Sequence, residues 1–395
     1  MGKKILAKSS EYKEETLIQH TRNALLVFKS LKDAYPEVVE ICGDKNFYEY
    51  LFVAVFLHDF GKAAEGFQRM LREGKPWGYR HEIISAGFIS CLPYLEDVKK
   101  DIALAIITHH KDLYELQESY STLTTPGKEN YIKKLKELEE NMKYLQFMIE
   151  KVPEWSKEFL GYEIRLKQIN SIQEIDDAFC FAGKEYLNDY EDKKVKNDKR
   201  KLFLGGFLTA CDHLSSASQE EIVKAISDMK EVFKFENYKD MQLKAMNTKG
   251  SAILIAPTGY GKTEASLLWS NYNQNKSKGK RVFYLLPYTA SINAMYNRLK
   301  DSFGDEKVAL LHGKALYFLY KEFTKSGEDY FDAVNKARTK YDLSKKIFKP
   351  YKVLTPFQIL KYFFGVTGFE QHIGEMTGGL FIVDEVHSYD PHTTA

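Results

Sequence analysis

The hydrophobic pattern of this chain changes its period once, and this change constrains the fold more than any other feature. From residue 14 to about residue 216, apolar residues recur at intervals of three and four, the spacing of helices. After about residue 233, short apolar runs alternate with helical segments, and these runs are SAILIAP, RVFYLLP, VALLHG, YKVLTP and LFIVDE. The pattern predicts an all-α region followed by an α/β region whose parallel sheet is covered by helices.

Length and composition support two folding units. A chain of 395 residues exceeds what one hydrophobic core usually serves, because domains commonly hold roughly 100–200 residues. Apolar residues make up 44% of the chain and charged residues 28%, values typical of soluble globular proteins. We predict a first domain over residues 1–232 and a second over residues 233–395.

Charge and cysteine usage exclude several classes of protein. The net charge of +2 provides no overall field for polyanions, so nucleic-acid binding must depend on local patches. The four cysteines, Cys42, Cys91, Cys180 and Cys211, form no CxxC pair, which argues against a zinc ribbon or a disulfide framework. The chain lacks a signal core and any run near the roughly 20 apolar residues of a membrane span. We expect a cytoplasmic protein with no membrane partner.

Histidines and carboxylates concentrate in the helical region, in or at the end of apolar segments where an unpaired ring is costly to bury. The candidates are His20, His58, Asp59, His81, His109, His110 and Asp212. A lone His20 or His81 is more often structural, and we interpret His213 as structural. Neighbouring His109 and His110 can share an ion only near a helix end. The joint pattern nevertheless favours a metal site, since these are ligands that first-row metals prefer.

Four segments carry a family resemblance: LHDFGK around His58 and Asp59, RHEIISAG with His81, THH at 108–110, and TACDHLSSAS with Asp212. Together they resemble the HD phosphohydrolase superfamily. With LAKS at 6–9 and His20 downstream, the region is similar to the HD nuclease domain of the CRISPR-associated helicase of type I systems.

The resemblance implies two divalent transition-metal ions, such as iron, manganese, nickel or cobalt. It implies one ion bound by His20, His58, Asp59 and Asp212, and a second bound by Asp59, His81, His109 and His110. His58 and Asp59 would be catalytic with Lys62, which a tight helix end after Gly61 allows to approach the phosphate.

The segment AILIAPTGYGKTEASLLW indicates a strand, a phosphate-binding loop and a helix, and departs from GxxxxGK[ST] only at Ala256. Backbone NH groups of this loop would cradle ATP phosphates, Lys262 would reach the β and γ oxygens, and the Thr263 hydroxyl would bind Mg²⁺. The predicted loop residues are Thr258, Gly259, Gly261, Lys262 and Thr263.

FIVDEVH places Asp384 and Glu385 at the carboxyl end of an apolar strand, where a magnesium ligand and a water-activating base belong. This segment is similar to the DExH box of superfamily 2 helicases and implies a RecA-like lobe. Gln242 in NYKDMQLKAM resembles the glutamine that reads adenine. LPYTASINAMYNRL at 286–299 and VLTPFQIL at 353–360 resemble motifs that contact single-stranded DNA.

Together the motifs indicate a CRISPR interference nuclease-helicase fragment. Its expected partners are single-stranded DNA, the RNA-guided surveillance complex of type I systems and a second helicase lobe. No second lobe or arginine-finger motif follows residue 395, so the ATP-dependent 3′–5′ helicase activity expected of a full-length form is not expected from this chain alone.

Two other functions fit the same residues. HD domains also hydrolyse nucleotides, so the first domain could be a nucleotide phosphohydrolase regulated by ATP. A chain that only binds ATP and DNA, without catalysis, is the second alternative.

Overall fold

A computed structural model describes residues 4–9, 14–111, 113–180, 182, 198–274 and 280–389. The chain divides into two compact units. The first comprises Met1–Lys32 and Pro36–Glu221, and the second comprises Asp33–Tyr35 and Ile222–Ala395. The compact units therefore divide between residues 221 and 222, while the domain bounds at 232 and 233 stay a prediction.

The first unit is helical apart from one short antiparallel pair of strands, β1 (Leu6–Lys8) and β2 (Glu15–Thr16). Its helices are α1 (Leu17–Ala34), α2 (Val38–Cys42), α3 (Phe47–Leu57), α4 (Glu65–Glu73), α5 (His81–Ala86), α6 (Glu96–Thr108), α7 (Leu113–Tyr120), α8 (Thr125–Lys136), α9 (Met142–Glu150), α10 (Val152–Leu160) and α11 (Lys199–Ser216). Short 3-10 turns include Phe60–Ala63 and Gly87–Cys91.

Helix α3 lies at the centre of this unit. Its sequence, FYEYLFVAVFL, is apolar around the whole circumference, and only Glu49 among its residues is not buried. A helix that is apolar on every side must be covered on every side, and α3 packs against α6, α10 and α11. His58, the residue directly after α3, therefore lies at the end of this buried central helix.

The second unit is built on a four-stranded parallel sheet. Its strands are β3 (Val282–Leu285), β4 (Val308–Leu311), β5 (Tyr351–Leu354) and β6 (Leu380–Val383), in the order β4-β5-β3-β6. Its helices are α12 (Met229–Phe233), α13 (Asp240–Ala245), α14 (Lys262–Asn273), α15 (Thr289–Phe303), α16 (Ala315–Lys325), α17 (Tyr330–Ser344), α18 (Phe357–Phe363) and α19 (Phe369–Met376). Strands β3, β4 and β5 are buried along their length. The predicted fold class, helical and then α/β with a parallel sheet, is confirmed.

The strand predicted for SAILIAP is wrong. Residues 251–257 have no regular secondary structure, and the side chains of Ile253 and Ile255 are 93% and 91% exposed. Strand β6 pairs with β3, and its other edge is unpaired in the part of the chain that the structure describes. An apolar run makes a strand only when it joins a hydrogen-bonded ladder, and this segment lies off the sheet.

No helix in the described ranges combines the length and the apolar character that crossing a membrane requires.

Candidate metal centre and nucleotide site

The turn after α3 brings Asp59 close to His81. Helix α3 ends at Leu57, so His58 and Asp59 lie where the chain leaves the helix and enters a 3-10 turn. Gly61 packs against α5, because its NH donates to Ser85 Oγ at 2.8 Å and an added Cβ would lie 2.1 Å from the His81 carbonyl oxygen. The glycine in the LHDFGK segment thus allows the close backbone approach that places Asp59 beside His81.

The first group of ligand candidates is buried. His20 Nε2 lies 3.2 Å from Asp212 Oδ1 and 3.3 Å from Asp59 Oδ2, and His58 Nε2 lies 3.4 Å from Asp59 Oδ2. One ligand atom from each of these four residues lies within 4.8 Å of the others. Helices α1 and α11 and the end of α3 supply them, which is why residues distant in sequence meet here.

The second group contains three histidines, His81, His109 and His110, whose ligand atoms also lie within 4.8 Å of one another. Helix α6 ends at Thr108, so His109 and His110 follow the helix end, and their ring centroids lie 4.0 Å apart. His81 Nε2 lies 3.0 Å from Asp59 Oδ1. Asp59 therefore presents one oxygen to each group, the arrangement of a bridging ligand.

Backbone contacts select the tautomer of two of these rings. His58 Nδ1 lies 2.7 Å from the Val55 carbonyl oxygen, and His109 Nδ1 lies 2.6 Å from the Ile106 carbonyl oxygen. A ring nitrogen that faces a carbonyl oxygen carries a proton, so Nε2 is the nitrogen that offers a lone pair in the neutral form of each ring. Both Nε2 lone pairs are thus available to bind a metal.

Two carboxylates that the sequence analysis missed lie behind other rings, and Glu15 is hydrogen-bonded to its histidine. His20 Nδ1 lies 3.2 Å from Glu15 Oε2, and His81 Nδ1 lies 3.3 Å from Glu82 Oε2. A carboxylate behind a histidine is a common second partner in metal sites. The signal was available for Glu82, which directly follows His81 in the sequence, whereas Glu15 meets His20 only because β2 leads into α1.

Several buried atoms at this centre have no hydrogen-bond partner within the described ranges. They are His58 Nε2, His81 Nε2 and His109 Nε2, while the two oxygens of Asp59 have only ion-pair contacts, with Lys62 and His81 among them. Buried polar atoms without partners cost free energy and are rare in folded proteins. A set of neutral nitrogens and carboxylate oxygens facing one space fits divalent transition-metal ions, which accept both kinds of ligand.

The electrostatics of the centre favour the metal-binding protonation states. Burial alone would raise the pKa of Asp59, but the nearby His58 and Lys62 hold it well below its usual range. Burial lowers the pKa of His109 to about 4, with a further contribution from His58, and it also lowers the pKa of His110. At neutral pH the carboxylate is charged and these rings are neutral.

Lys62 is also buried at the centre, with Nζ 2.7 Å from Asp59 Oδ2. Burial opposes its charge, but Asp59 and Asp212 raise its pKa above the ordinary value. The ammonium is therefore charged and adds a fixed positive group beside the ligand candidates.

The glycines of the phosphate-binding loop have the backbone shape that only glycine adopts readily. Gly259 has φ +75° and Gly261 has φ +95°. Gly261 precedes α14, whose first residues are Lys262 and Thr263. The loop therefore opens a helix as the sequence predicts, although no strand precedes it.

Gln242 lies directly against this loop. Its side chain is buried, its Oε1 accepts a hydrogen bond from the Lys239 NH at 3.0 Å, and an added Cβ at Gly261 would lie 2.7 Å from its Nε2. Its predicted part in adenine recognition stays a prediction.

Asp384 and Glu385 follow the carboxyl end of β6. Asp384 Oδ2 accepts a hydrogen bond from the Tyr284 hydroxyl at 2.7 Å, and Glu385 has φ +54°. Asp384 and Lys262 line one cavity of about 850 Å³, which Ile253 also lines. No ion pair joins Lys262 to Asp384 among the described contacts.

The two segments similar to DNA-contacting motifs follow neighbouring strands. Helix α15 begins at Thr289 after β3, and α18 begins at Phe357 after β5. Strands β3 and β5 are parallel and paired. Both turns therefore lie at the carboxyl ends of the strands, as Asp384 does after β6.

Comparison with known proteins agrees with this architecture. A family model described as "Cas3, HD domain" matches residues 6–220, and one described as "DEAD/DEAH box helicase" matches residues 218–393. A putative CRISPR-associated nuclease/helicase Cas3 of Methanocaldococcus jannaschii is 27% identical over 85% of this chain and 50% of its own length. A Cas3 of Methanothermobacter thermautotrophicus is 25% identical over 99% of this chain and 51% of its own length.

Solved structures show the same fold. Crystal structures of T. fusca Cas3 with ADP and with ATP superpose with a TM-score of 0.51 each, at 17% and 18% identity, covering 99% of this chain and 48% of theirs. The chain spans about half the length of the curated relatives that it matches. Because the HD-domain model matches more than half of its residues, the chain belongs to the Cas3 family, with an HD domain followed by a DEAD/DEAH box helicase domain.

Proposed function

We propose that the first unit is a metal-dependent nuclease that hydrolyses phosphodiesters of single-stranded DNA. The observation that carries this proposal is the convergence of buried ligand atoms without hydrogen-bond partners on both sides of Asp59. Two divalent transition-metal ions, of iron, manganese, nickel or cobalt, would supply an activated water and stabilise the leaving oxygen.

The protein side chains have distinct parts in this proposal. His20, His58 and Asp212 hold one position, His81, His109 and His110 hold the other, and Asp59 is shared. Lys62 would contact a phosphate oxygen of the substrate, which its position beside the shared carboxylate supports, since a phosphate held by the ions would lie next to this positive charge. No side chain acts as a nucleophile, since the attacking group is water.

The second unit binds ATP and Mg²⁺ in this proposal. Lys262 contacts the phosphates, Thr263 and Asp384 hold Mg²⁺, and Glu385 orients water. The cavity shared by Lys262 and Asp384 supports this assignment, as does the contact of Gln242 with the loop. The turns at Thr289 and Phe357 contact the DNA backbone through their helix N-termini.

The named relatives are CRISPR-associated nuclease/helicases, which supports a part for this chain in CRISPR interference. We place the chain in CRISPR interference in the cytoplasm, acting on the strand displaced by an RNA-guided surveillance complex of a type I system. Movement along DNA in the 3′–5′ direction requires a second helicase lobe, which supplies an arginine for ATP hydrolysis.

Cleavage of circular single-stranded DNA with added Mn²⁺ or Ni²⁺ tests the nuclease proposal. The protein is compared with a His58→Ala/Asp59→Ala double variant and with Lys262→Ala. We expect cleavage without ATP by the unmodified chain and by Lys262→Ala, and none by the double variant. Intact DNA with the metal-loaded chain, or equal cleavage by the double variant, contradicts the proposal. Hydrolysis of free nucleotides in place of DNA would instead indicate a nucleotide phosphohydrolase.

A further inference from the structure

We infer that the metal centre has a third, weaker position for a divalent cation on its solvent-exposed side, where His110 and His213 lie. Asp212 and His213 would bind this ion together with His110. The inference rests on the proposed function, because it assumes that the buried centre binds ions. It assigns a part to His213, which the sequence analysis interpreted as structural.

The three side chains form a group of their own. One ligand atom from each of His110, Asp212 and His213 lies within 4.8 Å of the others. The rings of His110 and His213 are nearly parallel, at an interplanar angle of 29°, and their centroids lie 6.5 Å apart. Two imidazoles and a carboxylate are a donor set that Mn²⁺, Co²⁺ and related ions accept.

The two oxygens of Asp212 face different neighbours. Oδ1 lies 3.2 Å from His20 Nε2 and 3.7 Å from His58 Nε2, and it also accepts from Ser216 Oγ at 3.4 Å. Oδ2 faces His110, with 3.7 Å to Nδ1. The carboxylate can therefore serve the buried group through Oδ1 and an outer ion through Oδ2.

The helical spacing of Asp212 and His213 places His213 on the solvent-exposed side of the metal centre. Consecutive residues on a helix point about 100° apart, and both belong to α11. Asp212 is buried, His213 is partly exposed, and the His110 side chain is 26% exposed. An ion at this position would keep water ligands and exchange with solvent.

The exposure of its ligands indicates that this position is weaker than the buried ones. The His110 side chain is 26% exposed and His213 is partly exposed, whereas all four residues of the first group are buried. His110 also belongs to the second group, so an outer ion competes for it when the buried positions are filled. Water or a phosphate oxygen of the substrate would complete the coordination, which places additional positive charge beside the scissile phosphate.

Cobalt titration of the full chain, followed by proton NMR, tests the inference, because the strongly shifted imidazole signals of Co²⁺ complexes come from rings bound directly to the ion and not from ions held loosely by surface carboxylates. The unmodified chain is compared with His213→Ala, with His213→Gln and with His387→Ala, which removes an exposed histidine of the second unit. We expect two tight equivalents in all four proteins. A weaker third increment should appear in the unmodified chain and His387→Ala and be lost in both His213 variants.

Each other outcome is informative. Two tight equivalents with no third increment, or a third increment that persists in the His213 variants, overturns the inference and leaves the proposed function intact. No shifted imidazole signal in the unmodified chain overturns both. Matching circular dichroism and thermal midpoints show that the variants are folded.

Discussion

Oδ1 of Asp59 lies 3.0 Å from Nε2 of His81, while Oδ2 of the same carboxylate faces the first group of ligand candidates. Asp59→Asn should therefore impair both metal positions. We expect bound metal to fall to one ion or less per chain and cleavage to slow by more than about 100-fold, since even residues behind the ligands are worth about 10–100-fold. Elemental analysis after dialysis and a cleavage time course measure these effects.

The control for this change is Asp97→Asn, which removes an exposed carboxylate at the start of α6 in the same unit. It should leave metal content and cleavage unchanged. Two ions retained by Asp59→Asn would mean that Asp59 does not bridge the two groups.

Gly61→Ala should destabilise the first unit, because the new methyl group would lie 2.1 Å from the His81 carbonyl oxygen, an atom of the backbone. The turn and α5 must separate, at a cost of about 1–3 kcal/mol, which also moves His81 away from Asp59. The midpoint temperature of thermal unfolding and the affinity for Mn²⁺ should both decrease.

Gly205→Ala is the matched control, since Gly205 lies inside α11 and nothing lies within 4 Å of an added Cβ. Alanine in a helix interior should stabilise by about 0.5–1 kcal/mol. Equal melting temperatures for the two variants would refute the proposed role of Gly61.

Metal binding should release a proton from His20 in the first group and none from His109 in the second. Burial opposes the charge on His20, but hydrogen bonds with Asp212 and Glu15 raise its pKa above the ordinary 6.5. A histidine must lose its extra proton to bind a metal, so metal affinity should increase as pH rises through the raised pKa of His20. His109, whose pKa burial lowers to about 4, is already neutral there.

Calorimetry in buffers of different ionisation enthalpy counts the released protons between about pH 6 and 8. We expect a proton to be released with the first-group ion. In the metal-free chain the charged His20 contributes stability below its unfolded pKa, and this contribution is lost as pH rises through the folded pKa. Affinity independent of pH, with no proton released, would contradict this description of His20.

Gly261→Ala should weaken nucleotide binding. The residue has φ +95°, which an alanine adopts only with strain, and its Cβ would lie 2.7 Å from Gln242 Nε2. Strain of about 1–3 kcal/mol predicts a roughly 5- to 150-fold weaker Kd for a fluorescent ATP analogue. Gly313→Ala, where an added Cβ contacts nothing within 4 Å, should bind as the unmodified chain does, and equal binding by both variants would contradict the assignment of the loop.

The sequence predicts much of this fold because the two hydrophobic periods are strong. Four apolar runs form the strands of the parallel sheet, with Val282 paired to both Tyr351 and Leu380. The run around Ile253 has the same composition and forms no strand. Local pattern reports that a segment can be a strand, whereas ladder pairing decides whether it becomes one.

The pair His58 and Asp59 could be named as ligand candidates from the sequence because adjacent residues just after a helix end can both face one space. The orienting groups were harder to find. The carbonyl oxygen behind His109 belongs to the backbone and leaves no trace in residue type, and Glu15 reaches His20 only through the fold. The interpretation of His213 as structural stays a prediction, since the structure shows only that His213 is partly exposed beside the buried Asp212.

The central claim is that Asp59 is shared by two ions, and electron paramagnetic resonance of the chain loaded with two equivalents of Mn²⁺ tests it most directly. Ions bridged by one carboxylate lie about 3.5–4 Å apart and couple magnetically. We predict the multiline signal of a coupled manganese pair, lost in Asp59→Asn. The six-line signal of isolated Mn²⁺ in the unmodified chain, unchanged in Asp59→Asn, would contradict a shared ligand and the two-ion centre built on it.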